Sequence, residues 1–237
     1  MLGLKTSVIG RTIIYFQEVA STNDYAKAEN LEEGTVIVAD RQIKGHGRLE
    51  RKWESPEGGL WMSVVLTPRV SQEDLPKIVF LGALAVVETL REFSIDARIK
   101  WPNDVLVNYR KVAGVLVEAK GEKVILGIGL NVNNKVPDGA TSMKQELGSE
   151  IPMLNVFKTL VKTLDSLYLK FLESPGKILE RAKRSMILGV RVKVLSDGEV
   201  EAEGIAEDVD EFGRLIVRLD DGRVKKILYG DVSLRFL

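Results

Sequence analysis

The sequence predicts an α+β protein, in which a larger domain that mixes strands and helices is followed by a small all-β module. Three patterns support this. Asp74 to Phe93 and Leu154 to Phe171 place apolar residues every three or four positions, as core-facing helices do. Ile99 to Val107, Val112 to Ala119 and Lys123 to Val132 are strand-like runs joined by short turns, a meander. After Gly189 the chain changes to short alternating strands divided by Asp197-Gly198, Phe212-Gly213 and Asp221-Gly222, where glycine accepts a positive φ. The expected boundary separates residues 1–188 from residues 189–237, with the second part closing as a small β-barrel.

In chain order, Thr12 to Val19 reads as a strand, and Ser21-Thr22-Asn23-Asp24 offers side-chain oxygens to cap a short helix running to about Asn30. Thr35 to Ala39 is a short strand of the buried type, and Leu60 to Leu66 is another. Between them lies Gly45-His46-Gly47-Arg48-Leu49-Glu50-Arg51-Lys52-Trp53, a glycine-punctuated basic loop held by a strand on each side. The helix expected from Asp74 buries Leu75, Ile78, Val79, Leu81, Val86 and Leu90 and is scaffold. The meander turns at Asn108-Tyr109 and Lys120-Gly121-Glu122, and Ser174-Pro175 starts a further helix toward Met186.

At 237 residues, with 45% hydrophobic and 29% charged residues, the chain can bury one substantial core. Lys+Arg and Asp+Glu both number 34, so no overall positive field favours nucleic acid. No apolar run approaches the roughly 18 residues of a membrane span. The start Met1-Leu2-Gly3-Leu4-Lys5 lacks a signal-peptide core, which points to the cytoplasm and away from a membrane. Cysteine is absent, which excludes disulfides, thiolate catalysis and Cys-based zinc sites, and the single histidine, His46, excludes a His-rich metal site.

The basic loop is where chemistry is expected. Gly45 and Gly47 permit close backbone approach or a positive φ, Arg48 and Arg51 supply forked donors for phosphate, and Trp53 offers an aromatic face. Together they suit a nucleotide. A Rossmann fingerprint is excluded, because Glu50 stands where the third glycine belongs and a strand follows. The Gly-Lys-Ser/Thr ending of a P-loop is absent as well.

Further motifs follow in a fixed order: Lys100-Trp101-Pro102-Asn103-Asp104, then Lys111 before Ala113-Gly114, then Gly127-x-Gly129-x-Asn131-x-Asn133. With the loop, this series resembles the biotin protein ligases, and the likeness spans essentially the whole chain. It is closest to their short, monofunctional class, without the DNA-binding domain of the bifunctional repressors. The resemblance implies a catalytic domain with a mixed or antiparallel sheet flanked by helices, and an SH3-like C-terminal barrel. It implies ATP with Mg2+, biotin as substrate, a biotin carboxyl carrier protein as acceptor, and a homodimer through the larger domain's sheet. Metal ligands are not assigned.

Carried onto this sequence, the resemblance places Ser21, Thr22, Asn23 and Gln42 at the ureido ring of biotin, with Gly45, His46, Gly47 and Gly114 along the ligand and Trp61 at its apolar tail. On the residues alone, the Ser-Thr-Asn segment is equally a helix cap. Arg48, Arg51, Lys52 and Trp53 fall on the nucleotide side with Asn103, Asp104, Gly129 and Asn131. Asp104 is equally readable as a buried structural carboxylate. Lys111 matches the active-site lysine, with Arg48 as its catalytic partner, so that cationic groups neutralise the biotin carboxylate and the α-phosphate.

Two positions depart from the Gly-Arg-Gly-Arg-x-Gly-Arg pattern of these ligases: His46 replaces an arginine and Glu50 a glycine. Glu50 places a carboxylate between Arg48 and Arg51, where it can pair with either. Two other readings are open. A lipoate or octanoate ligase or transferase has a similar fold, although the polar Ser-Thr-Asn and Gln42 set suits a ureido ring better than an alkyl tail. A non-catalytic biotin-binding module would bind biotin without releasing pyrophosphate. A DNA-binding repressor fits least, lacking both net charge and a helix-turn-helix segment.

Overall fold

The computed structural model describes residues 3–196, 199–228 and 230–235, so the turn expected at Asp197-Gly198 lies outside the described residues. The first part contains β1 (Ile13–Val19), α1 (Thr22–Ala28), β2 (Val36–Gln42), β3 (Leu60–Leu66), α2 (Ile78–Glu92), β4 (Arg98–Lys100), β5 (Asp104–Val107), β6 (Arg110–Lys120), β7 (Lys123–Leu130), α3 (Met143–Leu147), α4 (Met153–Glu173) and α5 (Pro175–Lys183). The second contains β8 (Val190–Ser196), β9 (Glu199–Val209), β10 (Leu215–Leu219), β11 (Val224–Ile227) and β12 (Asp231–Arg235).

The seven strands of the first part form one sheet in the order β1-β2-β3-β7-β6-β5-β4. It is mixed: β1 and β2 run parallel, with α1 in the connection between them, and every other neighbouring pair is antiparallel. Strand β3 is buried along its whole length, because the sheet is covered on both faces. On one face Val64, Leu66, Leu126 and Ile128 join α2, α4 and α5 in the main core. On the other, Ile37, Val65 and Ile125 meet Ala26 of α1 in a small second cluster. With only two turns, α1 covers one end of that face. The uncovered remainder holds the cavity described below.

Several expected elements need correction in detail. The single strand expected from Ile99 to Val107 is broken into β4 and β5 by Trp101-Pro102-Asn103, since Pro102 has no N–H to give a ladder. Helix α2 begins at Ile78, after a 3-10 turn over Leu75–Lys77 that contains Pro76. Helix α3 was not expected. Its signals are a Ser142 cap, whose Oγ accepts from the Gln145 N–H at 3.3 Å, and a stop at Gly148 with φ 74°.

The C-terminal strands form an antiparallel sheet in the order β11-β10-β9-β8-β12. A barrel would need a ladder between its end strands, β11 and β12. Among the described residues no such pairing exists, so these strands form an open sheet in place of the expected closed barrel, with register shifts at Val194/Leu195 and Ile216/Val217. No described helix is long and apolar enough to cross a membrane.

Candidate active site

A cavity of about 340 Å³ opens on the face of the large sheet that α1 leaves bare. Three glycines make room for it. Gly114 of β6 pairs with Gly129 of β7, and Gly127 of β7 pairs with Ser63 of β3, so a strip of floor has no side chains. A Cβ on Gly127 would stand 2.3 Å from the Asn23 Oδ1, and one on Gly129 would stand 2.5 Å from the Trp53 Nε1. Both glycines are demanded by close approach.

One end of the cavity is polar and tightly cross-linked. Ser21 caps α1, its Oγ accepting from the Asp24 N–H at 3.3 Å. The Gln42 Oε1 accepts from the Thr22 N–H at 2.8 Å and the Thr22 Oγ1 at 3.0 Å, while its Nε2 donates to the Ser55 Oγ at 2.8 Å. Ser63 lies within hydrogen-bond reach of both the Thr22 Oγ1 and the Asn23 Oδ1. The Asn23 Nδ2 donates to Glu118 at 2.8 Å. These partners fix the amide orientations of Asn23 and Gln42, giving a preset row of donors and acceptors in a buried wall.

Glu118 lies just behind that wall. Burial works against its charge, but hydrogen bonds from Lys27 and Asn23 and the charges of Lys27 and His46 outweigh it, so its carboxyl is held below the usual glutamate range.

The basic loop closes one side as a narrow hairpin. Trp53 N–H donates to the Gly45 carbonyl at 2.9 Å, Gly47 N–H donates to the Arg51 carbonyl at 2.8 Å, and His46 bridges Lys52. The left-handed φ falls on Leu49 (54°), not on either glycine. Gly45 is instead needed for space, because a Cβ there would meet the Ser55 Oγ and the Trp53 carbonyl at 2.6 Å.

The opposite end is cationic. Lys111 follows the turn at Asn108 and Tyr109, both at positive φ, and the β5–β6 register shifts beside it. Its Nζ lies 2.6 Å from the Asp104 Oδ1 and 4.8 Å from the centre of the Trp53 ring. Lys100 approaches the other Asp104 oxygen at 3.4 Å, so one carboxylate serves two ammonium groups. Arg48 donates to the Asn103 Oδ1 at 3.3 Å and to the Gly230 carbonyl at 3.2 Å, and Arg51 pairs with Asp231. The C-terminal sheet therefore touches the loop through the start of β12. The pairing of Glu50 with either arginine falls on a side chain outside those described.

Ser21, Thr22, Asn23, Gln42, His46, Gly47, Arg48, Arg51, Lys52, Trp53, Asn103, Asp104, Lys111, Gly114, Gly129 and Asn131 all line this one cavity. Gly45 and Trp61 do not. Trp61 is fully buried behind it, donating to the Pro56 carbonyl at 2.9 Å and meeting Trp53 edge to face. The Asn131 amide is already engaged, with Thr141 at 3.1 Å and Asn134 at 3.0 Å. The indole N–H of Trp53 is buried without a hydrogen-bond partner, an orphan donor at the cavity. Sequence reasoning missed Ser63, Glu118 and Asp231. The first two could have been noticed as lone polar residues inside apolar strands, whereas Asp231 carries no local signal. Among the described residues no cluster of three ligating side chains could cage a metal ion.

Comparison with known proteins shows the family of the chain. The family model for the biotin/lipoate A/B protein ligases matches residues 14–133, and that for the biotin protein ligase C-terminal domain matches residues 187–235. The chain is 35% identical to the bifunctional ligase/repressor BirA of Bacillus subtilis, over 98% of this chain and 77% of that protein. It is 31% identical to the biotin–[acetyl-CoA-carboxylase] ligase of Mycobacterium tuberculosis, over 84% of this chain and 79% of that one. The solved structure of the biotin protein ligase from Aquifex aeolicus in complex with biotin and ATP superposes with a TM-score of 0.84 at 36% identity, covering 95% and 99% of the two chains.

Proposed function

This chain belongs to the biotin/lipoate A/B protein ligase family and is a biotin protein ligase, and we propose that the cavity performs both of its half-reactions. A biotin carboxylate oxygen bonds to the α-phosphorus of ATP and the bond to pyrophosphate breaks. A lysine amine of a biotin carboxyl carrier protein then attacks the mixed anhydride, losing a proton and releasing AMP. The observation that supports this best is the placement, in one cavity, of a preset donor–acceptor row at one end and clustered cations at the other.

Thr22, Asn23 and Gln42, with Ser21 beside them, take the ureido ring, whose carbonyl and two N–H groups match such a row. His46, Gly47 and Gly114 flank the ligand, while Gly45 and Trp61 act from behind, packing the loop and Trp53. Lys111 and Arg48 sit where negative charge gathers on the carboxylate and α-phosphate, and orientation with charge stabilisation supplies the rate. Arg51, Lys52, Trp53, Asn103, Asp104, Gly129 and Asn131 form the nucleotide side. Beyond its bonds to Thr141 and Asn134, the Asn131 amide keeps one N–H and one carbonyl lone pair for adenine. Mg2+ arrives with the ATP phosphates and is held mainly by them, as is usual for this ion.

We retain the division at residues 188 and 189, a cytoplasmic location and a homodimer through the large sheet as parts of the same proposal. A monomer mass at micromolar concentration in solution would remove the dimer.

Incubation with Mg-ATP and biotin, lipoate or octanoate in parallel is expected to yield only biotinyl-adenylate by mass spectrometry. Lipoyl- or octanoyl-adenylate would move the protein to the sister class, and biotin binding without adenylate would make it a binding module.

A further inference from the structure

His46 departs from the arginine that the resemblance of the loop motif leads one to expect, and its surroundings give the imidazole something to do. Its Nε2 lies 3.7 Å from Glu118 on β6 and its Nδ1 lies 3.9 Å from Asp24 on α1, with only 12% of its side chain exposed. The same Glu118 oxygen that faces His46 accepts the Asn23 Nδ2 at 2.8 Å. Asn23 in turn is held on its other side by Ser63 and packed against Gly127. One carboxylate thus lies between His46 of the basic loop and the amide in the polar wall.

Resting on the ligase reading above, we propose that Glu118 is a positioning residue for biotin, and that protonated His46 clamps the basic loop to it and to Asp24, so that biotin is held more tightly when the imidazole is charged. Lys27 of α1 bonds Glu118 at 2.8 Å and Asp24 at 2.9 Å, leaving two carboxylates against one ammonium. The pair therefore carries a residual negative charge that an imidazolium completes. The Lys44 carbonyl lies 3.4 Å from the Nδ1, and Lys52, opposite His46 across the hairpin, turns to Glu54 at 3.6 Å.

The sign follows from the groups themselves. Glu118 stays ionised, because its carboxyl is held below the usual range, so the charge on the imidazole decides whether the clamp closes. A neutral imidazole releases the clamp, and partly shielded pairs of this kind change affinity by about 3- to 10-fold.

The test is calorimetric titration of biotin, without nucleotide, at pH 5.5 and 8.5. Biotin is expected to bind about 3- to 10-fold more weakly at pH 8.5, with the difference shrinking in 0.5 M salt. His46→Arg should bind tightly at both pH values, His46→Gln weakly at both, and Glu118→Gln should bind weakly without pH dependence. If Glu118→Gln does not fold, the two His46 variants still decide. Equal wild-type affinity at both pH values, or a pH dependence that survives in His46→Gln, overturns the inference while leaving the ligase reading intact. No biotin binding at any pH overturns both.

Discussion

Replacing Lys111 with alanine is expected to slow pyrophosphate release from ATP and biotin by about 100- to 1000-fold, the usual loss when one charge-stabilising donor leaves a preorganised site. Lys111 is suited to that role by its setting. It is half-buried, its Nζ is fixed between Asp104 and the Trp53 ring, and it stands over the side-chain-free floor at Gly114. The substitution should leave the fold in place, because Asp104 keeps Lys100 as a counter-charge at 3.4 Å. Steady-state pyrophosphate release at saturating biotin and ATP, with a thermal melt as control, reads both properties. A folded variant with the wild-type rate would remove Lys111 from the chemistry.

Arg48→Ala should act differently, chiefly on how long the adenylate stays bound. Hydrogen bonds to charged groups contribute about 1.5–3 kcal/mol each, so dissociation of biotinyl-adenylate should be about 10- to 100-fold faster. Arg48 also ties the loop to Asn103 and to the Gly230 carbonyl of the C-terminal part, so its loss loosens the loop as well as removing a charge. Chasing preformed adenylate with excess biotin and ATP measures the rate directly. If Lys111→Ala and Arg48→Ala both behaved as wild type, the assignment of this end of the cavity would fail.

The Ser-Thr-Asn segment illustrates why two readings of one motif can both hold. As a cap, Ser21 satisfies the first turn of α1, and the cap itself fixes the backbone that turns Thr22 and Asn23 toward Gln42 and Ser63. Asp104 is similar: it is a partly buried carboxylate with structural partners, and those partners are the lysines that line the cavity.

Periodicity and punctuation were enough to reveal the helices α2 and α4, strand β3, the meander and the change to an all-β pattern after Gly189. Local spacing imposes these features, because helical and extended chains bury different faces of the same sequence. Motif order was equally local, and sixteen of the side chains and glycines it named line one cavity. Tertiary structure alone decided the rest. Among the described residues the C-terminal sheet is open, with no ladder between β11 and β12, a long-range pairing that no short window encodes. Trp61 is held behind the cavity rather than in its wall because Trp53 and the Pro56 carbonyl, brought in by the loop that follows β2, cover its ring. Glu118 and Asp231 join the site only because β6 and β12 bring them to Asn23 and Arg51, residues far away in sequence, and a carboxylate's role depends on which cations and amides the fold brings to it.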